Sequence, residues 1–399
     1  MQEEKMNSTS KKTVQESSLT PKKAKTNLQV RLISAVFLVI LMIIYLLLPI
    51  LHTEINRKQG ESSLLANIFG YLSLLSTCCL IGASIYEFNR AVGIKKWGVQ
   101  LLFIITALFL FFWPFGQMEF LNDLFYYNRL NQNLLNIMRS PVICTLVLLL
   151  VFIILWVVGW KTEKRPAKDP TQLKRGTYKQ GLLIFAITLI IVFAMKGFTT
   201  ISLSVIYIEP TTTTVFDLEP VNKIYQNNVI QLTDNTPTYS FTAIIWIWCT
   251  IIFTDTFAYL GGSKFGKHKL SPRISPNKSW EGAIIGTAAA TLIGITFSVS
   301  LLFIEDTQKF APLFGVLYTL INAETAWIPV LIFIFMTVAI SITGQLGDLL
   351  FSAIKRNLGI KDYSNLIPGH GGILDRLDSF YLVFFMIYIL TLLTWINVN

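Results

Sequence analysis

The chain has 399 residues, of which 53% are hydrophobic and only 14% charged; a soluble domain carries about a quarter charged residues, so an ordinary water-soluble globular protein is excluded. The formal net charge of +10 raises nucleic acid as a partner. The Lys and Arg lie in short segments between apolar blocks rather than on one continuous face, so no nucleic-acid binding is expected.

In chain order, residues 1–30 are rich in Lys, Ser, Thr and Gln without apolar periodicity, which predicts a disordered cytoplasmic tail. There follow about nine apolar blocks, each near the length that crosses a hydrocarbon core: 32–51, 64–85, 99–115, 142–160, 182–198, 241–260, 283–304, 327–343 and 380–396. The expected fold is therefore all-α, a polytopic transmembrane helical bundle. Its parts are N-terminal spans over 31–240, with an outer loop at 199–240, and a catalytic membrane domain over 241–399. Cys78, Cys79, Cys144 and Cys249 all fall inside apolar blocks. They read as small buried hydrophobes, with neither a disulfide framework nor metal-ligand spacing.

Orientation follows from the basic residues, because cytoplasmic links hold the excess of Lys and Arg. Lys22, Lys23, Lys25 and Arg31 precede the first block; Lys161, Lys164, Arg165 and Lys168 follow the fourth; Lys264, Lys267, Lys269 and Arg273 follow the sixth. By contrast, the link at 199–240 carries Glu209, Asp217, Glu219 and Asp234 against Lys223. The bias alternates throughout with nine spans, which puts the N-terminus inside and the C-terminus outside.

Two inner links hold more functional residues than orientation requires. The first contains Asp255, Gly262, Lys264, Lys267, His268, Ser275, Lys278, Ser279 and Glu281. Asp255 lies about a turn inside the end of its span, where an ionised carboxylate is expensive unless it meets a cation or water. The bland alternative is a carboxylate snorkelling to the surface, for which Asp is short. The second link contains Asp348, Ser352, Lys355, Arg356, His370, Asp375, Arg376 and Asp378. Asp375 and Asp378, three apart at the head of the last span, share a helical face and suit a hard divalent cation. Acids that merely stabilise the helix dipole would show the same spacing. Asp348, Ser352 and Arg356 form a polar stripe on one face, open equally to a reading as a solvated helix end. Lys278, Lys355, Arg356 and Arg376 can neutralise phosphates, although any one Lys alone reads as an orientation charge. His370, among glycines, can bind phosphate or make a plain loop hydrogen bond; no cysteine or second histidine stands at zinc-ligand spacing. The residues themselves point to cation-dependent phosphate chemistry on a membrane-bound substrate.

The order Ser352-x-Ile354-Lys355-Arg356, Lys361-Asp362-x-Ser364 and Pro368-Gly369-His370-Gly371-Gly372-x-Leu374-Asp375-Arg376-x-Asp378 resembles the signature of phosphatidate cytidylyltransferases, also called CDP-diacylglycerol synthases. Asp255-x-x-Ala258-Tyr259-x-x-Gly262 with Ser275-Pro276-x-Lys278-Ser279-Trp280-Glu281-Gly282 is similar to that family's other polar segment. The resemblance is strong over 246–380. Earlier it is limited to Arg31-x-x-Ser34-Ala35 and Glu87. Bacterial relatives often carry Glu where this chain has Phe351, so a role for that acid does not transfer.

The resemblance implies transfer of CMP from CTP to phosphatidic acid. A bacterial plasma membrane is expected because the Ser-Lys-rich tail resembles no targeting signal, and the basic links put the active site on the cytoplasmic side. The resemblance also implies Mg²⁺, with a second cation left open, held by Asp255, Asp348, Asp375 and Asp378. Lys278, Lys355, Arg356, His370 and Arg376 would bind phosphates, and Ser275, Ser279 and Ser352 would donate hydrogen bonds to them. A homodimer and a cavity open sideways to membrane lipid are also implied. A CTP-using lipid kinase and an organic-anion transporter are the competing readings. The kinase would release CDP, and the transporter would place its polar residues near the bilayer midplane rather than at one face.

Overall fold

The computed structural model describes residues 20–59, 64–115, 132–160, 178–203, 207–208, 236–237, 240–304, 307, 310–312 and 327–398. Most of the expected tail, the basic link at 161–177 and most of the expected outer loop lie outside the described residues. The helices are α1 (Thr20–Gln59), α2 (Leu64–Val92), α3 (Trp97–Phe112), α4 (Gln132–Arg139), α5 (Pro141–Trp160), α6 (Tyr178–Leu203), α7 (Ser240–Phe265), α8 (Trp280–Phe303), α9 (Trp327–Asn357) and α10 (Leu374–Val398). Eight of them are long and apolar enough to cross a membrane, and α3 is a shorter apolar helix. The chain is thus a polytopic membrane protein. α1 starts at Thr20, inside the segment expected to be a solvated tail.

The helices overrun the apolar blocks at their polar ends. α9 continues from the expected 343 to Asn357 because Asp348, Ser352 and Arg356 keep the 3.6-residue register after hydrophobicity ends. The all-α expectation needs one correction, since two short antiparallel strand pairs are present: β1 (Tyr207–Ile208) with β2 (Thr236–Pro237), and β3 (Lys269–Ser271) with β4 (Ser275–Ser279). In the second pair Ser271 faces Ser275 and Lys269 faces Ser279. Ile274 N donates to Ser271 O at 3.3 Å to close the turn. Pro276 is tolerated because a two-stranded pair has only edges.

One hydrophobic core runs from Tyr45 on α1 to Tyr388 on α10. At its centre α6 packs on α10, α5, α2, α3 and α7. Residues 191–199 of α6 are all buried, as expected of a helix enclosed on every side. Lys196 belongs to that stretch and is 0% exposed. Its Nζ donates to Trp113 O at 2.7 Å and lies 5.3 Å from the ring centre of Phe115 and 5.9 Å from that of Tyr388. In lipid, where apolar contact alone drives little helix association, small residues allow close packing. α7 and α8 use this device: a Cβ on Gly286 would sit 2.6 Å from Thr254 O.

Candidate active site

Three carboxylates from three helices face one another at one end of the bundle. Asp255 is on α7, Asp348 on the polar extension of α9, and Asp378 in the second turn of α10. Each pair among them is close enough for its charges to interact. Ser379 bridges two of them, its backbone N–H donating to Asp378 Oδ1 at 2.9 Å and its hydroxyl to Asp255 Oδ2 at 3.4 Å. The β3–β4 hairpin folds back so that Lys278 Nζ meets Asp348 Oδ2 at 2.5 Å. Ser352 Oγ donates to Asp348 Oδ1 at 3.1 Å, the i, i+4 contact expected on a helix.

Asp375 has a different setting from Asp378. Lys355 Nζ donates to Asp375 Oδ1 at 2.8 Å, and the two side chains are 10% and 5% exposed. Tyr363 N and Gly372 N donate to Asp375 Oδ2 at 2.9 and 3.0 Å. Both oxygens are therefore engaged by groups of the chain itself, and Asp375 holds the loop at 361–373 onto Lys355. The Lys355 ammonium in turn lies within electrostatic reach of Asp378. Tyr363 packs into this junction, its hydroxyl donating to Phe351 O at 3.1 Å. Burial first, and then the Asp375 and Asp378 charges, push its phenol well above its ordinary value. Phe351 is fully buried against Tyr363 and Tyr381.

The remaining expected residues divide by what they touch. Ser279 Oγ accepts from Gly282 N at 3.2 Å, capping α8 in the manner of a Ser at a helix start. Ser275 pairs with Ser271 at the turn end of the hairpin. Arg356 Nε donates to Ile274 O at 3.3 Å, joining α9 to the hairpin turn. Arg376 Nε donates to His370 O at 2.8 Å. His370 Nδ1 lies 2.8 Å from Ser34 Oγ, which donates to Pro368 O at 2.9 Å, so His370 makes a loop contact to α1. A cleft of about 750 Å³, lined by Lys267, His268, Lys269, Pro272, Trp280, Glu281 and Ile284, flanks the hairpin and includes none of the four aspartates.

Two acids organise the polar segments without being expected to do so. Glu281 accepts from Lys267 N at 3.1 Å and from His268 N at 3.1 Å, and its Oε1 lies 2.6 Å from His268 Nδ1. Glu87, at the polar end of α2, is 2% exposed. It accepts from Ser364 Oγ at 2.6 Å, Ile373 N at 3.0 Å and Leu374 N at 3.0 Å. The criterion that singles out Asp255, an acid at the end of an apolar block, applies equally to Glu87.

Among the described residues no three His, Cys, Asp or Glu side chains form a group that could hold a metal ion. Mg²⁺ is usually held by one or two carboxylates, with waters and substrate phosphates as its other ligands. A cluster of mutually facing aspartates, balanced only in part by Lys278 and Lys355, fits an ion held in that way.

A helical membrane protein that gathers carboxylates from three helices, with lysines from α9 and the β3–β4 hairpin, at one end has a site suited to phosphate-bearing ligands. Residues 17–394 match the sequence model of the Cytidylyltransferase family, and the chain belongs to that family. It is 36% identical over 152 residues to a phosphatidate cytidylyltransferase of Brucella suis biovar 1 (strain 1330), covering 38% of this chain and 47% of that protein. It is 38% identical over 153 residues to the enzyme of that name from Bacillus subtilis (strain 168), covering 38% and 47%. With that of Staphylococcus haemolyticus (strain JCSC1435) the figures are 40% over 147 residues, 37% and 48%. The chain spans about half the length of the relatives it matches.

Proposed function

We propose that the chain is a CTP:phosphatidate cytidylyltransferase, joining CMP to phosphatidic acid with release of pyrophosphate. The observation that carries this reading is the meeting of Asp255, Asp348 and Asp378 beside Lys278 and Lys355 in a member of the Cytidylyltransferase family. A phosphate oxygen of phosphatidic acid attacks the α-phosphorus of CTP. A new P–O bond forms, the α–β bridging P–O bond breaks, and pyrophosphate leaves. No general base is needed, because the attacking phosphate monoester is already anionic near neutral pH.

One or two of Asp255, Asp348 and Asp378 would hold Mg²⁺, with waters and substrate phosphates as its other ligands; when bound, the ion supplies neutralisation of charge on the triphosphate. Asp375 fixes Lys355 next to Asp378. Lys278, Lys355 and Arg376 attract the phosphates, and the hairpin and the 361–373 loop orient them for in-line displacement, from which much of the acceleration in such reactions comes. The same reading places the site on the cytoplasmic side of a bacterial plasma membrane, supported by the distribution of Lys and Arg and by the bacterial relatives. It includes the homodimer implied by the family resemblance.

The test is turnover of purified protein in detergent with labelled CTP, phosphatidic acid and Mg²⁺. Pyrophosphate and a lipid-linked nucleotide are the expected products, both lost in Asp378→Asn. CDP without a nucleotide-linked lipid would make the protein a kinase instead.

A further inference from the structure

We propose that Glu87 is a positioning residue for Asp378: it caps α10 from outside its own segment and so sets where that carboxylate stands. The first amides of a helix have no partner within the helix and ordinarily take one from a Ser, Thr, Asp or Asn just before it. Here the preceding residue is Ile373, whose side chain has no oxygen to offer. Glu87 takes that place from α2, with Oε1 accepting from Ile373 N and Oε2 from Leu374 N, each at 3.0 Å. Oε1 also accepts from Ser364 Oγ, so one carboxylate holds both the start of α10 and the loop leading to it.

A buried negative charge at this point also complements the positive end of the helix dipole. The approach is close enough that a Cβ on Gly372 would lie 2.5 Å from Glu87 Oε2. Asp378 follows Leu374 by about one turn, roughly 6 Å along the axis. A shift at the clamped amides is therefore carried directly to Asp378 and to Ser379, which bridges it to Asp255. Further along the same two helices, Ser84 Oγ meets Tyr381 OH at 2.5 Å. That contact joins α2 to α10 without touching the loop, and it supplies the control.

The role of Asp378 rests on the cytidylyltransferase reading, and the experiment separates the two claims. Glu87→Gln keeps the side-chain shape but turns an NH₂ group toward one of the N–H donors. In full-length protein in detergent its kcat should fall about ten- to hundredfold, the range typical for residues that orient a catalytic ligand, with KM for CTP and phosphatidic acid nearly unchanged. Hydrogen exchange should accelerate in peptides covering 361–378 and stay unchanged in α6. Ser84→Ala should keep both kcat and the exchange of 361–378 near wild type. Ser364→Ala, which removes only the hydroxyl contact, should show a smaller loss of kcat with the same local loosening, and it decides the matter if Glu87→Gln does not fold.

Wild-type kcat and exchange in both loop variants would overturn the proposal. So would loosening spread through the whole protein and matched by Ser84→Ala, since that marks a merely structural contact. If wild-type protein made no lipid-linked nucleotide, the functional reading would fall, while the exchange pattern would still decide whether Glu87 holds the loop and helix start.

Discussion

The two polar segments of the site are held in opposite ways. The β3–β4 hairpin is secured from within the region that carries the resemblance: Glu281 on the adjoining helix closes its base, Ser279 caps that helix, and Lys278 and Arg356 tie it to α9. The loop at 361–373 is secured by groups far away in the chain, Ser34 on α1 and Glu87 on α2, as well as by Asp375. One half of the site is thus held by helices within the region that carries the resemblance, and the other depends also on helices outside it. Motif residues close in sequence need not share a scaffold.

Three substitutions would break or sharpen this contrast. The largest effect on stability is expected from Asp375→Asn, which leaves the buried Lys355 ammonium without its counter-charge. Loss of one partner from a buried pair costs about 3–5 kcal/mol, so the melting temperature in detergent should drop strongly and activity with it. Unchanged melting would mean that the loop does not need this junction. Ser34→Ala, which removes the contacts to Pro368 O and His370 Nδ1, should cost about 1–3 kcal/mol, at roughly 0.5–1.5 kcal/mol for each hydrogen bond. It should expose the 361–373 loop to faster hydrogen exchange while leaving the hairpin as it was. The smallest effect is expected from Glu281→Gln: exchange at 267–279 should accelerate with no change in global melting, and loosening that reached 361–373 would erase the distinction between the two segments.

Spans were legible in the sequence because length and apolarity are local properties. Asp255, Asp348 and Asp378 were legible as candidates because acids and polar stripes at the ends of apolar blocks are conspicuous. Spacing could not separate Asp375 from Asp378. Two acids three apart share a helical face, yet only the folded chain brings Lys355, Tyr363 N and Gly372 N to the first of them. Ser279 suits a helix cap as well as a phosphate, and its place beside the β3–β4 pair decides which contact it makes. The cap from Glu87 was hidden because its partners are 277 to 287 positions away. The hairpin was hidden because strands this short carry almost no alternating pattern.

The cage around Lys196 constrains how the protein is built. Phe111 belongs to α3 and Phe115 follows its end, but Tyr388 belongs to α10, synthesised well after α6, and its hydroxyl donates to Phe115 O at 3.1 Å. A buried amine in hydrocarbon is costly unless it is enclosed by partners; Trp113 O is made before α6, whereas Tyr388 is made after it, so α6 enters the bilayer before its surroundings are complete. Biogenesis therefore includes a late docking step: α10 must return past the helices made between it and α6 and close the cage. A ribosome-stalled or truncated chain lacking α10 would present an unfinished surface on α6 to the insertion machinery and to membrane proteases.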